Sequence, residues 1–191
     1  NIFLTLFIAF FSISSIAQEI IEIDIDQSHL QWVGSKLTSS HEGDIKLKSG
    51  EVKIKDGKLF GGMFVIDMTT IKTTDIEDEK YRLKLDNHLK NEDFFHVDKY
   101  PYSTLKIINV KNIKKEYYKI TADLTIKGIT RPIIFEAYVK IDDEFQAKSD
   151  IIFDRSKWGI KYKSKTFFDD LGDYMILDEI QLKLSLVSVS K

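Results

Sequence analysis

Apolar and polar residues alternate with a period of two along most of this chain, and that pattern limits the fold more than any other feature. Ile21, Ile23 and Ile25 are interleaved with Glu22, Asp24 and Asp26. The same rhythm runs through Tyr118, Ile120, Ala122, Leu124 and Ile126, and again through Ile133, Phe135, Ala137, Val139 and Ile141. Ile180, Leu182, Leu184 and Leu186 repeat it near the C-terminus. Successive side chains of a strand point to opposite faces, so each segment predicts a strand with one dry and one wet side. Two turn signals sit between such segments. Asp56 with Gly57 suits a two-residue hairpin, and Ser49 with Gly50 reads as a turn between the Ile45/Leu47 and Val52/Ile54 pairs.

About eight or nine strands joined by short turns make an antiparallel sheet. Only residues 74–95 carry a helical pattern, with Tyr81, Leu85 and Leu89 at intervals of four. One helix cannot cover the dry face of such a sheet, which must therefore close on itself or fold into a sandwich; closure has the added merit of hiding the edges. The expected fold is all-β: an antiparallel barrel of about eight strands with one helical insertion near a barrel end. Small residues among the inward positions (Gly62, Ala122, Ala137, Ala147) fit either packing taper or a lumen. An uncharged lumen would select a long hydrocarbon, since each buried methylene contributes about 0.8 kcal/mol.

Residues 1–18, NIFLTLFIAFFSISSIAQ, are uncharged and almost wholly apolar up to Ile13, then pass into small residues. This reads as the apolar core and cleavage region of a secretion signal, too short for a comfortable membrane span. The expected organisation is a signal over 1–18 and one barrel domain over 19–191, periplasmic or secreted and without stable membrane insertion. A formal net charge of -2 gives no electrostatic case for nucleic acid. The absence of cysteine excludes disulfides, thiolate metal sites and cysteine nucleophiles.

His29, His41, His88 and His96 have no helical zinc spacing, no Ser lies in a Gly-x-Ser-x-Gly elbow, and no glycine-rich phosphate cradle is present. The acidic FFDDLGD loop reads as a solvated turn rather than a calcium site. No catalytic residue, metal ligand or cofactor is expected. In HLKNEDFFHVDKYP, residues 88–101, His88 shares the inward stripe of the helix and is expected to latch to backbone. Asn91, Glu92 and Asp93 suit the cap and first turn of a second short helical piece. Phe94 and Phe95 would plug the barrel end, and Tyr100 before Pro101 launches the next strand.

Five ordered segments carry a resemblance to a known family. They are IDIDQSHLQWVGSK with its early Trp32, GGMFVIDMTTI, HLKNEDFFHVDKYP, LTIKGITRPI and FDRSKWGI. From about Ile25 onward the chain resembles the YceI-like family of lipocalin-like periplasmic and secreted proteins. It departs in having Asn91 where the family usually has Ser, and Trp158 where a smaller aromatic is usual. The resemblance implies an extended antiparallel barrel that holds a polyisoprenoid, an isoprenoid quinone or a similar amphipathic lipid, for binding rather than catalysis. Alternation parity then nominates Trp32, Phe60, Phe64, Ile66, Leu124, Phe135, Val139, Phe153 and Leu182 as wall residues, with Phe94 and Phe95 closing one end. Arg155, Lys157 or Tyr162 would meet the ligand's polar head. The competing readings are a metal-assisted enzyme built on the histidines, and an interaction barrel with a filled core; homodimerisation is left open.

Overall fold

The computed structural model describes residues 18–190, so the expected signal over 1–18 lies almost wholly outside the described residues. The described residues form nine strands, one α-helix and two short 3-10 turns at Arg155–Trp158 and Gly172–Tyr174. The strands are β1 (Gln18–Glu22), β2 (His29–Lys36), β3 (Ser40–Lys55), β4 (Lys58–Thr73), β5 (Tyr102–Lys114), β6 (Tyr117–Ile126), β7 (Ile129–Ile141), β8 (Phe145–Asp154) and β9 (Ile176–Val187). The helix α1 (Glu79–Lys90) lies between β4 and β5. Strands β2 to β9 close into an eight-stranded antiparallel barrel, each paired with its sequence neighbour and β2 paired with β9. β1 lies along the second half of β3 while β2 lies along the first half, so the two act as one interrupted strand.

The tight turns follow local chemistry. Asp56 and Gly57 adopt φ of 51° and 69°, and Lys127 and Gly128 adopt 50° and 73°. Two successive left-handed residues match the twist of the flanking strands, which is why both loops need only two residues. Ser49 and Gly50, however, form no turn. β3 runs through them as a single strand of 16 residues with a bulge between Leu47 and Ser49. The bulge shifts parity, so Ile45 and Leu47 point inward before it and Val52 and Ile54 after it. A second bulge, between Leu59 and Gly61, leaves Phe60 unpaired; Phe60 therefore faces outward, 55% exposed, instead of lining the wall.

The helix begins later and ends earlier than the sequence pattern suggests. Asp78 caps it by accepting from the Tyr81 N–H, and Asn91 closes it through its N–H to the Asn87 and His88 carbonyls. Asn91 thus caps the C-terminal end, and turns rather than a second helix carry residues 91–99. The inward stripe starts at Leu85, since Tyr81 is exposed at the helix edge. Asp86 moors the helix to the barrel: its buried carboxylate accepts from the Thr73 N–H at 2.7 Å. Asp86→Ala removes the partner of that buried donor, and urea denaturation should show a loss of about 1–3 kcal/mol. Amide exchange in α1 should rise more than exchange in β6, because the tie is local to the helix.

One part of the wall is not fully laddered. β7 and β8 pair only between Ala137–Ile141 and Phe145–Ser149. Beyond that point Ser149 Oγ donates to the Glu136 carbonyl at 2.7 Å, and no ladder pair joins residues 129–136 to 150–154. Ile134 and Ile152 stand exposed on the two lips of this seam. Trp158, 1% exposed, fills its upper end: Nε1 donates to the Leu124 carbonyl at 3.1 Å, and the indole meets the Phe153 ring edge-on at 5.4 Å.

Candidate lipid-binding lumen

Two voids lie inside the barrel, in series with an open pocket at its mouth. The innermost, about 70 Å³, sits toward the end away from α1, among Leu59, Phe64, Ala137, Val139, Phe145 and Ala147. A second of about 70 Å³ adjoins it among Ile45, Met68, Ile133, Phe153 and Phe95. The two share Ile66, Leu105, Leu124, Ile151 and Leu182 as common wall. Trp32, Ile71, Phe95 and Ile180 then connect the second void to an open pocket of about 750 Å³ beneath α1. Apart from Ser103 and Ser149, the two inner voids are walled by apolar residues. The lumen is a string of narrow apolar spaces, neither a wide bore nor a solidly filled core.

Of the residues nominated from sequence, Trp32, Phe64, Ile66, Phe95, Leu124, Phe135, Val139, Phe153 and Leu182 line the inner voids. Phe94 reaches the mouth pocket, and Phe60 alone lies outside. Parity within β2, β6, β7, β8 and β9, and within β4 from Phe64 onward, picks out side chains that border these voids. It missed contributions from strands with less regular patterns, such as Leu105 and Ser103 of β5, and from the mouth, where Ile76, Leu85 and Ile176 join.

The polar residues nominated for the ligand head divide differently. Tyr162 lines the mouth pocket, whereas Lys157 is exposed outside it. Arg155 is sealed from solvent and committed to the protein. Its Nε donates to the Leu177 carbonyl at 3.2 Å, Nη1 to Ile160 at 3.3 Å and Nη2 to Ile176 at 3.1 Å. Nη2 also lies 3.2 Å from Asp178 Oδ1, and the guanidinium carbon sits 5.4 Å from the Phe94 ring centre. Burial lowers the Arg155 pKa, opposed by the charges of Asp178 and Asp154. The other Asp178 oxygen accepts from the Ser164 and Thr166 hydroxyls, both at 2.8 Å. Arg155 is therefore the staple that holds the 155–166 segment onto β9, and not a ligand contact.

His88 makes no backbone latch. Its ring packs against Tyr162 at 4.3 Å and Phe94 at 5.9 Å, and Nε2 is buried without a hydrogen-bond partner among the described residues. Burial is the largest influence on its pKa and lowers it; Asp93 raises it and Lys163 lowers it further. His41 instead pairs with Asp75 at 2.9 Å on the pocket rim. Among the described residues no three His, Asp or Glu side chains converge as a metal site, and no helix is long and apolar enough to cross a membrane.

Comparison with known proteins gives this geometry a context. The sequence pattern described as the YceI-like domain matches residues 22–188. Protein YceI of Escherichia coli O157:H7 is 31% identical over 145 residues, covering 70% of this chain and 72% of that one. A shorter match, 40% identical over 52 residues, is to a UPF0312 protein of Photorhabdus laumondii and spans 27% of each chain. Among solved structures, Burkholderia cenocepacia BcnA superposes with a TM-score of 0.71 at 22% identity, covering 87% of this chain and 99% of that one. A polyisoprenoid binding domain from Saccharophagus degradans, implicated in plant cell wall breakdown, superposes with a TM-score of 0.63 at 12% identity, covering 93% and 100%. At those identities the structural matches establish the fold alone.

Proposed function

Because the chain belongs to the YceI-like domain family, we propose that it is a carrier that holds the hydrocarbon tail of a polyisoprenoid, an isoprenoid quinone or a similar amphipathic lipid along the barrel axis. The observation that carries this reading is the series of apolar voids leading inward from the mouth under α1. An enclosed apolar space excludes water and rewards a guest with roughly 0.8 kcal/mol for each methylene it buries. Nothing ionised lines the two inner voids, so they discriminate against charged guests and favour a tail. The head then stays at the mouth, where Tyr162, His88 and Lys163 are gathered. The role is binding, and the reading gives no residue a catalytic task. The apolar stretch over 1–18 supports action outside the cytoplasm. Organic extraction of protein purified from its native host, followed by mass spectrometry, should release one class of prenyl lipid, and delipidated protein should take up an added prenyl quinone. An empty extract together with no uptake of prenyl quinone or polyprenol overturns the proposal.

A further inference from the structure

The innermost void has a closed end and a thin flank. Val52, Leu59 and Phe145 border it at the end away from α1 and are all buried, so a chain entering at the mouth meets a blind end there. The flank is different. Ala137, Ser149 and Leu184 border the void, and the same three residues border an open groove of about 660 Å³ on the outer surface of β7, β8, β9 and β2. One layer of side chains, two of them small, is all that separates the inside from the outside at that point.

Ala137 and Ser149 are also the last rung of the β7–β8 ladder. Past them the Ser149 hydroxyl reaches the Glu136 carbonyl at 2.7 Å, and no ladder pair follows between these two strands. Continuing the register would set Ile134 opposite Ile152, and both stand exposed on the outer face, although the next outward positions are Glu136 and Asp150. Phe135 and Phe153 follow them in sequence and face the voids, so the seam is apolar through the thickness of the wall. Beyond its lips the groove offers an aromatic surface. Tyr117 and Tyr138 meet there edge to face, with ring centres 5.5 Å apart.

Resting on the carrier reading above, we propose that the β7–β8 seam and the outer groove form a tail-end subsite, which takes the far end of a hydrocarbon chain too long for the lumen. The chain end leaves the innermost void between Ile134 and Ile152 and lies along Tyr138 and Tyr117. Passage at this point displaces one side-chain hydrogen bond, whereas passage between fully laddered strands would break several backbone pairs. Outside, methylenes covered by the tyrosine rings keep part of the burial that favours binding. The charged residues of the groove, Glu136, Lys148, Asp150 and Lys183, are exposed and stay hydrated at its rim. Such a subsite reads the length of the tail and is indifferent to the head.

The test uses delipidated full-length protein and two probes that share a head and differ only in tail length, a farnesyl benzoquinone and a decaprenyl benzoquinone. The chain has no cysteine, so Ile134→Cys with Ile152→Cys supplies a unique pair of thiols, and a short bis-maleimide between them ties the lips together. The tied protein should bind the decaprenyl probe about tenfold more weakly than the same variant untied, with the farnesyl probe unchanged. The same cross-link between Lys140→Cys and Gln146→Cys, a pair on the intact ladder, should alter neither affinity. A decaprenyl benzoquinone carrying a diazirine at its far end should label Tyr117 or Tyr138 on illumination. Equal decaprenyl affinity with the seam tied and untied, or label confined to Val52, Leu59 and Phe145 at the blind end, overturns the subsite. Equal weakening of both probes by the tied seam overturns it too, because the tie then acts on the whole barrel, yet it leaves the carrier reading standing. Failure of both probes to bind wild-type protein defeats both.

Discussion

Ala137→Phe shuts the lumen while the barrel still folds. Ala137 is 4% exposed and borders the innermost void together with Ala147 and Val139. A benzyl group there occupies the space that the end of the guest chain would need. Overpacking a core in this way costs about 1–3 kcal/mol of stability, a burden that a barrel of this size should survive. The cost to binding is larger. If four methylenes are shut out at about 0.8 kcal/mol each, affinity for a prenyl quinone falls more than about a hundredfold. Phe60→Ser is the matched control, because Phe60 faces solvent; both binding and stability should remain as in wild type, within about 0.5 kcal/mol. Lipid titration with parallel thermal unfolding measures both quantities. Undiminished affinity in a folded Ala137→Phe protein would place the tail somewhere other than the inner void.

Arg155→Met should cause the largest loss of stability of any charge substitution in the protein, about 3–5 kcal/mol in urea denaturation. The side chain is wholly buried and holds three backbone carbonyls together with Asp178. Methionine fills much of the volume but leaves the carboxylate facing an apolar neighbour and the carbonyls without donors. The damage therefore comes from what is orphaned, not from the loss of attraction alone. Arg155→Lys should restore only part of the loss, since one ammonium cannot reproduce a planar fork reaching Leu177, Ile160 and Ile176 at once. Replacing Asp178 by Asn in the Arg155→Met background should recover part of the difference, the mark of coupling between the two residues.

The barrel itself was legible in the sequence because alternation is a physical requirement of a sheet with one dry face. The bulges were not. Counting by twos from Phe64 and Ile66 carries Phe60 onto the inner face, and only the extra residue in the β3–β4 register at Phe60 turns it outward. The apparent turn at Ser49 and Gly50 was the same phenomenon, a parity shift at a bulge within β3. In the candidate site, parity found the walls, whereas polar roles depended on partners far along the chain. Arg155 looks like a surface cation until Asp178 and the start of β9 are folded against it. His88 lay on the stripe expected of it, but nothing in its neighbours indicated that its Nε2 would find no backbone group.

The incomplete ladder between β7 and β8 bears on how so slender an interior can accept a bulky guest. A hoop hydrogen-bonded all the way round resists stretching, since every increment of girth strains or breaks backbone pairs worth about 0.5–1.5 kcal/mol apiece. Here the circumference has a slack sector flanked by Phe135 and Phe153, whose rings border the inner and second void. On the carrier reading proposed above, dilation at that sector would turn side chains and leave the rest of the hoop intact, letting the barrel swell around a guest and tighten again when empty.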